Sequence, residues 1–144
     1  LVQGISDTEA FRDSQGEFYE IADWQGVTVQ HDEVFGIDWE PDIGARLFGD
    51  IDDASAMKEG GSIDLQWIPP TVTDFCIANL NLMGTIDTSR LPRELEYFDL
   101  DANDFDGFFE TEGLPNTLVS TYISKNRLSG SLDLTKLPRD SHAL

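Results

Sequence analysis

Residues 91–113 read LPRELEYFDLDANDFDGFFETEG, and three features of that stretch decide the fold. The first is Leu95-x-x-Phe98-x-Leu100. Side chains two positions apart share one face of an extended strand, so Phe98 and Leu100 point the same way, with Leu95 leading in. The second is Asn103-x-Phe105-x-Gly107: an amide that both donates and accepts, an apolar residue, and a glycine fit for a tight bend. The third is recurrence. Pro69, Pro92, Pro115 and Pro138 stand 23 residues apart, each behind an apolar residue, Ile68, Leu91, Leu114 or Leu137. Gly61, Gly84, Gly107 and Gly130 keep the same spacing, as do Ile63, Ile86, Phe109 and Leu132. An acid follows each of the last four, at Asp64, Asp87, Glu110 and Asp133. With only 6 Pro and 12 Gly in 144 residues, such alignment leaves little room for coincidence.

The flanking stretches repeat the pattern. Val72, Phe75, Ile77, Leu80, Leu82 and Gly84 precede it; Leu118, Thr121, Ile123, Asn126, Leu128 and Gly130 follow. The shared frame is L-x-x-L-x-L-x-x-N-x-L-x-G. Over residues 24 to 144 the chain resembles leucine-rich-repeat proteins of the plant-like and protist, kinetoplastid-type class. "LPRELEYFDLDANDFDG" and "LPNTLVSTYISKNRLSGSLDLTKLP" carry the resemblance, and "GSIDLQWIPPTV" is similar to a first repeat of such proteins. Leu80 in place of the Asn, and Thr121 in place of an apolar residue, depart from it. The resemblance implies an α/β fold: a leucine-rich-repeat solenoid with a curved parallel sheet and short extended or 3-10 convex segments. Stacking buries the apolar columns. About four to five repeats of 23 residues are expected over residues 34–144, starting irregularly at Val34-x-x-Ile37-x-Trp39. Both "LFGDI" at 47 to 51 and "GSID" at 61 to 64 look like a repeat's turn, which places an insertion near 52–62.

Residues 1–33 read as a helical N-terminal cap. Ser6-x-x-Glu9 has the form of a capping box, and Phe11, Phe18 and Ile21 fall at roughly helical spacing, with Gly16 as a potential break. "DWQGVTV" resembles the W-x-G-V-x-C signature of plant-type caps, with Val29 where the cysteine stands. Phe18 and Trp24 are expected to cover the open end of the core. At the other end, Leu137-Pro138 and Leu144 begin another repeat, so further repeats or a covering partner are expected there.

The net charge is -19, from 28 acidic and 9 basic residues. Nucleic acid and anionic membrane surfaces demand the opposite sign. A basic partner is the natural complement, and simple solubility the competing reading. Nine Phe, three Trp and three Tyr argue against disorder. Cys76 is the one cysteine, so no internal disulfide forms; no Asn-x-Ser/Thr occurs, and no apolar run is long enough for membrane insertion. These features favour an intracellular location, with an extracellular or cell-surface one as the alternative.

Alternate strand positions give the outward, concave face: Asp38, Glu40, Asp74, Cys76, Ala78, Tyr97, Asp99, Asp101, Ser120, Tyr122 and Ser124. Carboxylates with two neighbouring tyrosines suit a basic peptide or protein segment. Asp99, Asp101, Asn103 and Glu110 also match four ligand positions of an EF-hand loop. Yet Asp104 stands at the glycine position, Asp106 at the apolar one, and the flanks are strand and turn, so no metal is expected. Cys76 has no base in register, since His31 and His142 lie elsewhere in the frame. No catalytic residue and no cofactor is expected. The chain reads as a protein- or peptide-binding scaffold module, or a structural subunit of a larger assembly. The alternative is the ligand-recognition ectodomain of a secreted or cell-surface receptor.

Overall fold

Phe75, Phe98 and Thr121 each sit at the centre of a three-residue strand, and each is buried. The computed structural model describes residues 1–40, 59–133, 135 and 137. Its strands are β1 (Val27–Gln30), β2 (Glu33–Asp38), β3 (Asp74–Cys76), β4 (Tyr97–Asp99) and β5 (Ser120–Tyr122). They form one open, mixed sheet in the order β1-β2-β3-β4-β5. β1 and β2 are antiparallel and the remaining pairs parallel. Ile37 pairs with Phe75, Phe75 with Phe98, and Phe98 with Thr121. These side chains face the core, and the Phe75 and Phe98 rings lie 6.0 Å apart. The step from β2 to β3 spans 38 residues, against 23 from β3 to β4. The insertion expected near 52–62 lies mostly outside the described residues.

Asn103 explains why an amide recurs after the strand. Its Oδ1 accepts the N–H groups of Leu80 (3.3 Å) and Leu82 (3.0 Å). Its Nδ2 donates to the carbonyls of Ile77 (2.8 Å) and Leu100 (3.0 Å). Asn126 does the same one strand on, bonding Phe105 N–H and the Leu100 and Ile123 carbonyls. Backbone that bends away from a sheet leaves polar groups without ladder partners, and the two amides supply them.

The recurring acid also has a local cause. Three 3-10 turns, Leu65–Trp67, Thr88–Arg90 and Thr111–Gly113, follow the acids at the same spacing. Asp64 accepts the N–H of Gln66, Asp87 that of Ser89, and Asp133 that of Thr135. These are N-cap bonds that satisfy orphan donors. Glu110, one methylene longer, makes no such cap. Thr88 Oγ1 donates to the Glu110 carbonyl and Thr111 Oγ1 to the Asp133 carbonyl, tying successive turns together. Ile63, Ile86 and Phe109 are buried, whereas Leu132, expected in the same buried column, is 44% exposed. Each of the first three has a described neighbour 23 residues further on to cover it, and Leu132 has none.

The N-terminal region is not the expected helical cap. Among the described residues it holds two three-residue 3-10 turns, Glu9–Phe11 and Ile21–Asp23, followed by β1. Ser6 does not cap: its N–H bonds the Gly60 carbonyl, and Ser62 N–H bonds the Gly4 carbonyl, so residues 4–6 pair with 60–62. Thr8 precedes the first turn without a side-chain cap bond. Asp13 Oδ1 collects the N–H groups of Gln15 and Glu17 and folds the chain back at Gly16, whose φ is +84°. Trp24 does cover the end of the core, its ring 4.9 Å from Phe11 and 6.1 Å from Trp39. Phe18 is exposed beneath the Arg12 guanidinium and takes no part in that covering. β1 and β2 meet through His31 and Asp32, both at positive φ, the geometry of a type I′ hairpin turn. Among the described residues no helix is long and apolar enough to cross a membrane.

Candidate binding face

Period-two alternation aims every second residue of β2 to β5 away from the core. Strand pairing then sets these residues in columns. Gly36, Asp74, Tyr97 and Ser120 stand side by side, and Asp38, Cys76, Asp99 and Tyr122 form the next column. Beyond the strand ends, Asp101 Oδ1 accepts the N–H of Ser124 at 2.6 Å, and Glu40 accepts from Asn79 Nδ2 at 3.4 Å. The structure therefore brings all nine expected residues to one face: Asp38, Glu40, Asp74, Cys76, Tyr97, Asp99, Asp101, Tyr122 and Ser124.

They are not equally accessible. Asp38, Glu40, Asp74 and Ser124 are exposed, while Tyr97, Asp99, Asp101 and Tyr122 are half-buried. Cys76 and Ala78, expected as outward contacts, are buried. Both side chains are short and lie on β3 or just past it, between larger neighbours on β2 and β4. They form a low floor, not a contact surface. The Cys76 thiol is pushed up to about 12 by burial, with Asp99, Asp38 and Glu40 adding to the shift and the Ala78 N–H opposing it. Three carboxylates thus face it. Asp99 is raised from the ordinary carboxylate value by burial first, then by Asp101 and Asp38. The Tyr97 phenol is pushed up to about 12 by burial and by the Asp99 charge.

The two tyrosines meet diagonally across β4 and β5, ring centroids 5.6 Å apart and planes 47° apart. Tyr97 Oη donates to Asp99 Oδ2 at 3.3 Å, and Asp101 N–H donates to Asp99 Oδ1 at 2.9 Å. Among the described residues the ion pairs are Arg90–Asp87 and Arg127–Asp104, and neither involves a face carboxylate. Among the described residues the face is an acidic surface with aromatic relief and no basic side chain paired to its carboxylates.

Asn103 is not available as a ligand in the EF-hand-like stretch, because both ends of its amide are committed to backbone. What sequence reasoning missed was the depth of Cys76 and Ala78; their small size beside Asp99 and Asp101 was the signal. No family model matches the chain, and neither a curated protein nor a solved structure matches it significantly.

Proposed function

We propose that the chain is a leucine-rich-repeat solenoid module that binds a basic protein or peptide segment on its concave sheet face, and that it is a scaffold, not an enzyme. One observation carries the reading. Asp38, Asp74, Asp99 and Asp101 converge on a single sheet face, and among the described residues no Lys or Arg forms an ion pair with them. Asp38, Asp99 and Asp101 each accept one backbone N–H, from Glu40, Asp101 and Ser124, but these neutral donors leave the negative charges uncompensated. Like charges on neighbouring strands repel and cost stability. A cationic partner removes that cost, steers encounter and adds charge-assisted hydrogen bonds. The half-buried tyrosines offer rigid contact area at small entropic cost.

The test is calorimetric titration of a lysine- and arginine-rich peptide into the chain at low and physiological salt. Binding is expected to weaken as salt rises. The double reversal Asp99→Lys/Asp101→Lys should weaken it far more than Asp64→Lys/Asp87→Lys on the turns across the core. Equal losses from the two faces would refute the assignment.

A further inference from the structure

We propose that the Tyr97–Tyr122 pair seats one arginine side chain of an extended partner segment, and that the face discriminates arginine from lysine. The inference rests on the binding-face reading above and names its central contact.

The occupant must be a cation. The face presents Asp38, Glu40, Asp74, Asp99 and Asp101 and no basic residue at any described outward position. Among the described residues no three His, Cys, Asp or Glu side chains are grouped as a metal ion needs. Relief on the face fits an elongated side chain. Cys76 and Ala78 form a low lane along β3, with Asp38 and Glu40 on one side and Asp99 and Asp101 on the other. Strands lie about 4.8 Å apart, so the carboxylate walls are about 10 Å apart at the backbone. That is room for one side chain with its hydrogen-bonding groups.

The tyrosines choose between the two basic side chains. Their planes are tilted, so the rings do not cover each other. Tyr122 is flanked by Ser120 and Ser124 along β5, which leaves its face clear of bulky neighbours on its own strand. A guanidinium is planar and weakly hydrated. It can lie on a phenol ring within about 6 Å of the centroid while its N–H edge reaches a carboxylate. Asp99 lies at the required corner, in strand register with Tyr122 and hydrogen-bonded to Tyr97. An ammonium group keeps its water more strongly and gains little from the ring. On this face lysine is held by charge alone.

The experiment uses three fluorescent peptides of alternating serine and basic residue: one with arginine, one with lysine and one with neutral citrulline. Anisotropy titration of the full chain should rank arginine about tenfold or more tighter than lysine, about 1.4 kcal/mol, with citrulline weakest. Tyr97→Leu/Tyr122→Leu, with folding checked by circular dichroism, should weaken the arginine peptide far more than the lysine peptide and so erase the difference between them. Equal binding of both basic peptides to the unaltered chain overturns the arginine seat and leaves the binding-face reading standing. Binding of neither peptide overturns both.

Discussion

Replacing Asn103 with Ala probes the internal cross-link that binds β3 to β4. The Asn103 side chain is buried and makes its bonds to backbone. Its removal strips the only described partner from the N–H groups of Leu80 and Leu82, both fully buried, and one from the Ile77 carbonyl. The Leu100 carbonyl keeps a bond from Asn126. Each stranded buried group costs about 1–3 kcal/mol, so the substitution should cost about 3–5 kcal/mol once some water enters. Asn126→Ala frees one N–H, that of Phe105, and one carbonyl, that of Ile123, at half-buried sites and should cost about 1–3 kcal/mol. Urea unfolding read by tryptophan fluorescence measures both. At about 1–3 kcal/mol/M for the slope, the Asn103→Ala midpoint should drop by at least about 1 M. A drop no larger than that of Asn126→Ala would refute the reasoning. Should the variant not fold, amide exchange in the unaltered chain decides: Leu80 and Leu82 must exchange among the slowest amides, and fast exchange refutes the cross-link equally. Asn103→Asp adds a sign test. Burial raises the new carboxyl above its unfolded value of about 3.9, so lost stability should return as pH falls through the folded value.

Phe109→Ala should cost about 3–5 kcal/mol as a core cavity, since the ring is 5% exposed; a loss below about 1 kcal/mol by urea unfolding would remove Phe109 from the core. Cys76 should react slowly with an aromatic disulfide reagent in the native chain and rapidly in urea, because its thiol is buried and raised from 9.0 to about 12. The same raised value makes the neutral thiol the favoured folded form. Stability should fall as pH climbs from about 9 toward 12, and Cys76→Ala should flatten that decline.

The spacing of 23 in Pro, Gly and apolar residues reappears in the strand pairings and turn positions because every element along it acts locally or on the segment next to it in the sheet. A strand, a glycine bend and an Asp cap act within a few residues, and the Asn103 amide acts on backbone 21 to 26 residues back. The N-terminal region was illegible for the opposite reason. Ser6 and Gly4 bond residues near 60, a long-range pairing that no local spacing reports. Phe11, Phe18 and Ile21 fit a helical period, yet Asp13 reverses the chain between the first two. The β1–β2 hairpin turns at His31-Asp32 without a glycine, so its usual sequence mark is missing. On the face, alternation placed each column, but depth depends on how far neighbouring side chains rise. That is why Cys76 and Ala78 are floor and not contact.

Acids on the turns and acids on the face differ in what the fold asks of them, and that difference yields the final prediction. Asp87 is held below the ordinary carboxylate value by its bonds to the Ser89 hydroxyl and N–H, with Arg90 nearby. Its charged form is favoured by folding, so the benefit is present at neutral pH and is lost as pH falls through the lowered folded value. Asp99 is raised, by burial and by Asp101 and Asp38. Its charged form is disfavoured by folding, so stability should rise as pH falls from neutral through the raised folded value. The two variants must therefore move in opposite directions. Asp87→Ala should lower the melting temperature at neutral pH, by loss of an N-cap. Asp99→Asn should raise it, since the amide keeps one acceptor for Tyr97 or the Asp101 N–H and removes the unpaired charge. The same Asp99→Asn change should weaken binding of the arginine peptide. A residue whose removal improves the fold and harms binding is held for binding, the usual conflict between a stable surface and a working one. Thermal scans of both variants at neutral and acidic pH decide the matter, and a lower melting temperature for Asp99→Asn would return that carboxylate to the fold's own needs.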